Sequence, residues 1–356
     1  MARSAVSALA FASFCAFCAL AELPPATSEK DGVRCWHDVA YGARGDLADE
    51  GDGYKANGGG WTSDDLPWKR YHRHRSGQLF DVYAPTNGVK ADAVVVMYLH
   101  GGSWSERYDK DAPPRELIKK VVVAGGVFCS ADYILQTDRS VSPFASGRKE
   151  ATFAEMLRDI DAAAKKLKKF VGELGAKSPR FVVTGESAGG HLALMYAYDQ
   201  GNPDVNKLGL SHEMKVKKVV NIVGPTDFTA KEFLDLGKIS ILGFKISVPF
   251  FRTLMNRLMG LPDGASEKIG LKEAAKWSPV KLVCAKSVPT AIAYGVVGKD
   301  GESDGIVHVK QMTSLEAALK AANVPCAMKK FVDVGHGEVS WKGADWISGQ
   351  FLSVEP

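Results

Sequence analysis

The feature that most constrains this chain is a serine flanked by glycines at the end of a short apolar run. Residues 181–184, Phe-Val-Val-Thr, have the composition of a buried strand, and residues 185–190, Gly-Glu-Ser-Ala-Gly-Gly, follow at once and open a helical pattern. A strand-to-helix turn this tight accepts only small residues beside the serine and leaves its hydroxyl exposed at the edge of a sheet. The motif predicts a nucleophile elbow at Ser187, and the alternative is a structural glycine turn.

The rest of the chain alternates between strand and helix patterns. Strand candidates are residues 79–84, 93–99, 126–133, 181–184, 216–223, 291–297 and 328–332. Helix candidates are residues 114–124, 152–174, 188–198, 309–322 and 341–352. Apolar runs without a polar face are typical of parallel strands that are buried on both sides. The alternation predicts an α/β fold, a doubly wound and mostly parallel sheet with helices on both faces.

One segment interrupts this alternation. Residues 230–277 are long, apolar and helical in pattern between two strand candidates. We interpret them as a helical lid insertion over the carboxyl edge of the sheet, whose apolar side chains contribute to a substrate pocket. Simple packing of this segment on the sheet is the alternative.

A second glycine motif ends an earlier strand candidate. Residues 100–104, His-Gly-Gly-Ser-Trp, follow the apolar run 94–99. Glycines at a strand end let backbone N–H groups face a developing oxyanion, and each such donor is worth about 3 kcal/mol in the transition state. We therefore expect Gly102, Ser103 and Ala188 to supply the oxyanion hole. The alternative is a plain turn with His100 as a core histidine.

A serine nucleophile needs a base, and the base needs a carboxylate that orients it. Asp304 follows the strand candidate 291–297, and His336 follows the last strand candidate. The chain order serine, aspartate, histidine is the one used by folds with this elbow. Asp300 fits better as a residue that caps a turn. His191 and His308 compete with His336 for the role of base, but their positions favour structural roles.

Five blocks of the chain resemble one branch of the α/β-hydrolase superfamily, the bacterial esterases that include feruloyl and acetyl-xylan esterase-like proteins. This branch is related to hormone-sensitive-lipase-type esterases and kynurenine formamidases. The blocks are residues 100–104, 185–191, 224–227 (Gly-Pro-Thr-Asp), 278–280 (Ser-Pro-Val) and 301–304 (Gly-Glu-Ser-Asp). The resemblance extends from about residue 79 to the end. Ser103 stands where many relatives have a third glycine and His308 where a proline is common, but neither change removes a catalytic group.

The resemblance implies a serine hydrolase that cleaves carboxylic esters through an acyl-enzyme intermediate. Small acyl, aryl or carbohydrate-linked esters are the expected substrates, and no cofactor is implied. An amidase or a peptidase with the same triad remains an alternative. A non-catalytic binding protein on the same scaffold is a further alternative, but it should lack a member of the triad, and Ser187, Asp304 and His336 are all present.

The beginning of the chain has the pattern of a cleavable signal peptide. Arg3 precedes an apolar stretch from residue 5 to residue 21, and Ala-Leu-Ala at 19–21 fits the small-x-small cleavage rule. We expect cleavage after Ala21, a secreted or periplasmic protein and no stable membrane span, with an uncleaved anchor as the alternative. Residues 22–61, rich in Gly, Asp and Glu, are interpreted as a flexible leader, and residues 62–356 as the catalytic domain.

Charge and cysteine content exclude other classes of protein. The net charge is only +4, and the basic runs at 69–75 and 165–169 lie in no recognisable motif, so nucleic-acid binding is not expected. Beyond the predicted signal peptide, which holds Cys15 and Cys18, no CxxC or HExxH motif is present, so no metal is expected. In an exported chain, Cys284 and Cys326 could form a disulfide, because they precede two strand candidates that could be neighbours. The oligomeric state is left open.

Overall fold

The computed structural model of the protein describes residues 23–42, 78–105, 113–136, 151–241, 244–247 and 249–355. The signal peptide predicted for residues 1–21 and its cleavage site lie outside this part. So do residues 43–61 of the interpreted leader.

The strands of the described residues form a nine-stranded sheet and a separate hairpin. They are β1 (Ser28–Lys30), β2 (Val33–Ala40), β3 (Leu79–Pro85), β4 (Val94–Leu99), β5 (Val127–Ala131), β6 (Arg180–Glu186), β7 (Val216–Ile222), β8 (Lys238–Ile241), β9 (Phe244–Ser247), β10 (Thr290–Val296) and β11 (Cys326–Val332). The large sheet has the order β1-β2-β3-β5-β4-β6-β7-β10-β11, and β8 pairs with β9.

All seven strands predicted from the sequence are present, and the sheet is mostly parallel as expected. Strands β5, β4, β6, β7, β10 and β11 are parallel to their neighbours within this set. Strand β3 differs from the prediction, because it is antiparallel to β5. The carboxyl ends of the six parallel strands lie along one edge, where ligands bind in open α/β sheets. The loops after β4, β6, β10 and β11 therefore meet at this edge.

Helices cover both faces of the sheet, which confirms the doubly wound arrangement. They are α1 (Arg115–Val123), α2 (Phe153–Glu173), α3 (Ala188–Asp199), α4 (Lys231–Leu234), α5 (Pro249–Leu258), α6 (Glu267–Lys276), α7 (Pro279–Leu282), α8 (Val309–Ala321), α9 (Val339–Lys342) and α10 (Ala344–Leu352). Helix α2 packs on α3, and α1 packs on α10. None of the helices in the described residues is long and apolar enough to cross a membrane.

The longest helix shows how local sequence sets the boundaries. The side chain of Thr152 accepts a hydrogen bond from the backbone N–H of Glu155, and the carboxylate of Glu155 accepts one from the backbone N–H of Thr152 at 2.9 Å. This capping box satisfies N–H groups that the first turn leaves without helical partners. The apolar stripe of α2 is buried from Met156 to Phe170, as the helical spacing predicts.

The interpretation of residues 22–61 as a flexible leader is wrong for residues 28–40, which form β1 and β2. Strand β2 pairs with β3 and contains a bulge at Asp38, whose φ is 56°. The carboxylate of Asp81 fixes the bulge: it accepts from the backbone N–H of Asp38 at 2.9 Å and lies 2.6 Å from Nδ1 of His37. The glycines and acidic residues that suggested a leader are concentrated after Tyr41, so they do not describe the strands before them.

The lid insertion is not wholly helical. Residues 230–277 contain α4, a 3₁₀ turn, the β8–β9 hairpin, α5 and α6, and the hairpin was not predicted. Phe233 is 4% exposed and stacks on Phe228 with ring centroids 4.5 Å apart, and Phe251 lies 5.5 Å from Phe233. These contacts favour packing as the role of Phe233. The side chains of residues 237–250 lie outside the described part.

The disulfide considered between Cys284 and Cys326 is absent, because both side chains are free thiols. The Sγ atom of Cys284 lies 3.8 Å from the carbonyl oxygen of Gly201. Cys326 begins β11, and burial raises the pKa of its thiol to about 11. The two cysteines are therefore held in different surroundings, and their shared position before a strand did not imply contact.

Candidate active site

Ser187 lies on the sharp turn that the glycine motif predicted. It follows β6 directly and precedes α3, and its backbone adopts φ 55° and ψ −118°. A non-glycine residue at positive φ is strained, and such strain persists only where the surroundings enforce it. Here the backbone N–H of Ser187 donates to the carbonyl oxygen of Ile222 at 2.9 Å, and its carbonyl accepts from His191 at 3.1 Å.

The glycines around Ser187 are required by close contact rather than by positive φ. A Cβ atom on Gly189 would collide with the carbonyl oxygens of Leu99 and His100, and one on Gly185 would lie 2.7 Å from that of Leu99. The elbow is therefore pressed against the end of β4. A Cβ atom on Gly101 would lie 3.4 Å from Cβ of Ser187, so the second glycine motif runs beside the serine.

The three expected oxyanion donors are positioned at this junction. Gly102, Ser103 and Trp104 have φ values of 103°, 51° and 58°, so the chain turns sharply just beyond β4. Among the described residues, no acceptor is hydrogen-bonded to the backbone N–H of Gly102, Ser103 or Ala188. Ala188 is the first residue of α3, and N–H groups at a helix start lack helical partners. The junction thus offers backbone donors to an anion.

Asp304 and His336 are joined by two hydrogen bonds. The backbone N–H of His336 donates to the carbonyl oxygen of Asp304 at 2.9 Å, and Nδ1 of His336 lies 2.8 Å from Oδ2 of Asp304. The other carboxylate oxygen accepts from the backbone N–H groups of Ile306 at 2.9 Å and Val307 at 2.7 Å. With a proton on Nδ1, the lone pair of the ring is on Nε2, as a general base requires.

Glu186 connects the elbow with the histidine loop. Burial is the largest influence on the carboxyl of Glu186 and raises its pKa. A hydrogen bond with Ser340 and the imidazole of His336 lower this pKa, whereas the charge of Asp304 raises it further. The residue next to Ser187 is thus within electrostatic reach of both His336 and Asp304. Glu186 was not identified as a site residue from the sequence, where it is only the variable position of the pentapeptide.

The competing residues have structural partners. Oδ1 of Asp300 accepts from the backbone N–H of Glu302 at 3.3 Å, which is the expected turn cap. Nδ1 of His308 accepts from the backbone N–H of Lys310 at 3.1 Å and so caps α8. Nε2 of His191 lies 2.9 Å from the carbonyl oxygen of Trp277. These partners favour structural roles for all three side chains, as the sequence predicted.

His191 also lies at the centre of an aromatic cluster that links residues 100–104, which we call the oxyanion loop, with α3 and the insertion. Its ring contacts those of Trp104 at 5.3 Å, Phe153 at 5.0 Å and Phe228 at 4.6 Å. Burial lowers the pKa of His191 to about 3, so the ring is neutral at physiological pH. Its role is to pack and to hold the chain at Trp277.

Two further features were not recognised from the sequence. Gln311 of α8 holds the loop after β7, since its side-chain oxygen accepts from the backbone N–H groups of Thr226 at 2.8 Å and Asp227 at 2.7 Å. Residues 301–305, Gly-Glu-Ser-Asp-Gly, repeat the Gly-x-Ser-x-Gly pattern, but they form a loop in which Ser303 bridges Val297 and His308.

Among the described residues, no group of His, Cys, Asp or Glu side chains is arranged to hold a metal ion.

Solved structures of esterases share the fold of this chain. An inhibited form of esterase B from Lactobacillus rhamnosis is 16% identical over 91% of this chain and 86% of its own, with a TM-score of 0.59. A truncated carbohydrate esterase from gut microbiota is 16% identical over 90% and 96%, with a TM-score of 0.57. Esterase 2 of Thermogutta terrifontis, phosphonylated by sarin, is 19% identical over 77% and 89%, with a TM-score of 0.51.

These likenesses establish the α/β-hydrolase fold that the sequence predicted. No curated protein sequence matches the chain. The profile of one protein family, BD-FAE, matches residues 80–319, more than half of the sequence. This match includes both glycine motifs and Asp304. The chain belongs to the BD-FAE family.

Proposed function

We propose that the protein hydrolyses carboxylic esters with Ser187 as the nucleophile, His336 as the base and Asp304 as the residue that orients the base. The strained turn at Ser187 is the observation that carries this proposal. It holds a serine at the carboxyl edge of the sheet, against Gly101 and next to Glu186, whose carboxyl interacts with His336 and Asp304. Strained backbone of this kind is concentrated at functional sites.

The reaction proceeds in two acyl transfers. Oγ of Ser187 attacks the ester carbonyl while Nε2 of His336 removes its proton, and the tetrahedral oxyanion accepts hydrogen bonds from the N–H groups of Gly102, Ser103 and Ala188. Collapse of this intermediate expels the alcohol, which receives its proton from His336 and leaves an acyl-enzyme. Water, activated by the same histidine, then releases the acid. Asp304 keeps the proton on Nδ1 throughout.

The mechanism is tested by a fluorophosphonate probe and two serine variants. Ser187→Ala should abolish labelling and lower kcat by on the order of 10³ or more without unfolding the protein, because only a hydroxyl is removed. Ser303→Ala is the matched control, since Ser303 occupies the same pentapeptide pattern in a loop. It should keep both labelling and turnover. Ester turnover by a clean preparation of Ser187→Ala would overturn the assignment.

We further propose that the substrates are small acyl, aryl or carbohydrate-linked esters. Membership of the BD-FAE family and the shared fold with a carbohydrate esterase support this choice. Aryl esters of graded acyl length, acetylated xylan and feruloyl esters should be compared by kcat/KM. Matched ester and anilide substrates separate an esterase from an amidase with the same triad. A higher kcat/KM for the anilide would overturn the ester assignment.

A further inference from the structure

The segment that follows β5 lies directly against the oxyanion loop. We call residues 132–136 the clamp segment. The ring of Tyr133 stacks on the ring of His100, with centroids 4.4 Å apart and planes inclined by 11°. Both side chains are buried, at 0% and 3% exposure. The stack fixes the plane of the His100 imidazole at the start of the oxyanion loop.

Hydrogen bonds from the clamp segment hold both ends of this loop. The hydroxyl of Tyr133 donates to the carbonyl oxygen of His100 at 2.8 Å. The backbone N–H of Gln136 donates to the carbonyl oxygen of Trp104 at 2.9 Å. Residues 100–104 are therefore attached at their first and last carbonyl groups to one short segment.

The imidazole of His100 in turn restrains the peptide group that carries one of the oxyanion donors, the N–H of Gly102. Its Nδ1 lies 2.8 Å from the carbonyl oxygen of Gly101, so Nδ1 carries the proton and donates it to that oxygen. Burial lowers the pKa of His100 to about 4, which keeps the ring neutral. A trans peptide is planar, and its C=O and N–H point in opposite directions. Fixing the carbonyl of Gly101 therefore fixes the direction of the N–H of Gly102.

We propose that Tyr133 is a positioning residue of the oxyanion hole, which aims the N–H of Gly102 by holding both the ring and the carbonyl of His100. This inference rests on the proposed ester hydrolysis by Ser187. Without the restraint, the peptide between Gly101 and Gly102 can rotate, because glycine has few conformational limits. The stabilisation of the oxyanion would then fall, while binding of the ground-state ester would change little.

The test is Tyr133→Phe, which keeps the stacked ring and removes the donor to His100. The matched control is Tyr198→Phe, which removes another buried hydroxyl, hydrogen-bonded to Thr290 at 2.9 Å near the far end of α3. We expect Tyr133→Phe to lower kcat by on the order of 10- to 100-fold with little change in KM. Tyr198→Phe should keep kcat within about twofold of the parent, with a comparable decrease in melting temperature.

A transition-state analogue separates positioning from general loss of stability. A boronic acid that forms a tetrahedral adduct with the serine should bind Tyr133→Phe more weakly, by the same factor as the loss in kcat/KM. If Tyr133→Phe does not fold, His100→Phe replaces it, because it keeps a ring against Tyr133 and removes the donor to Gly101. Equal kinetics of Tyr133→Phe and Tyr198→Phe, or a change in KM alone, would overturn the proposal for Tyr133. Ester turnover by Ser187→Ala would instead overturn the proposed function.

Discussion

Nδ1 of His336 and Oδ2 of Asp304 lie 2.8 Å apart, and the two side chains are only 12% and 2% exposed. The carboxylate is held inside the loop by two backbone N–H groups, whereas the imidazole is at the edge of the solvent. The carboxylate of Asp304 is thus held in place by its own loop, and the imidazole of His336 is oriented by its hydrogen bond to this carboxylate. This arrangement supports the proposed orienting role of Asp304 over Asp300, four residues earlier in the same loop.

We therefore expect Asp304→Asn to lower kcat by on the order of 10⁴, because an amide at this position favours the tautomer with the proton on Nε2. Asp300→Asn should leave kcat nearly unchanged and reduce stability modestly, since only a turn cap is altered. Steady-state kinetics with circular dichroism of both folded variants checks this ranking. The reverse order of the two losses would falsify the assignment.

The glycines of the elbow give a second prediction. In Gly189→Ala the new methyl group meets two carbonyl oxygens at the end of β4, and backbone cannot move aside as a flexible side chain can. We expect a loss of stability of several kcal/mol, or failure to fold, together with loss of activity.

Gly349→Ala is the control for this substitution. Gly349 lies in α10 and is exposed, and a methyl group there would meet no described atom within 4 Å. Alanine should therefore stabilise the protein by about 0.5–1 kcal/mol. Urea unfolding of the two variants measures the difference. An alanine tolerated equally at both positions would show that the elbow does not press on β4.

The part of the fold that surrounds the site was predictable because strands β4, β6 and β10 are buried almost throughout and mostly apolar. The run from Val94 to Leu99 is completely buried, and it ends in a glycine motif whose chemistry is local. Strand β2, which lies next to the edge strand β1, was missed because its buried and half-buried residues are mixed, and because a bulge at Asp38 interrupts the alternation. Its stability depends on pairing with β3, a contact that spans a long sequence separation.

The site itself was predictable only as far as local motifs extend. The pentapeptide alone does not identify the nucleophile, because it occurs at both Ser187 and Ser303. The apolar strand before Ser187 and the helix after it distinguish the two. The contacts of Tyr133 and Gln311 could not be foreseen, since each depends on a long-range hydrogen bond to a loop on another strand.

The amino-terminal pattern gives a prediction that the sequence alone supports. If residues 1–21 are a signal peptide, protein recovered outside the cytoplasm should begin at or near Glu22, because Ala19 and Ala21 fit the small-residue positions of a cleavage site. Amino-terminal sequencing of the secreted or periplasmic fraction checks this. Replacing Ala21 by Asp should prevent cleavage and increase the apparent mass. A chain that retains Met1 after export would contradict the prediction.

The buried imidazole of His191 predicts how the stability of the protein responds to acid. The pKa of His191 in the folded protein is about 3, and burial is the cause. An unfolded histidine titrates near 6.5, so below that pH the unfolded state binds a proton that the folded state does not. The contribution of the neutral ring to the free energy of unfolding is fully present above pH 6.5 and is lost progressively as the pH falls toward 3.

Between pH 7 and pH 5, His191 should therefore reduce the free energy of unfolding by about 2 kcal/mol. His191→Gln removes this titration while its amide can still donate to the carbonyl of Trp277, so this variant should lose about 2 kcal/mol less than the parent over the same interval. Denaturant unfolding of the parent and of His191→Gln at both pH values measures the difference. An unchanged response in His191→Gln would mean that His191 does not stay neutral in the folded protein.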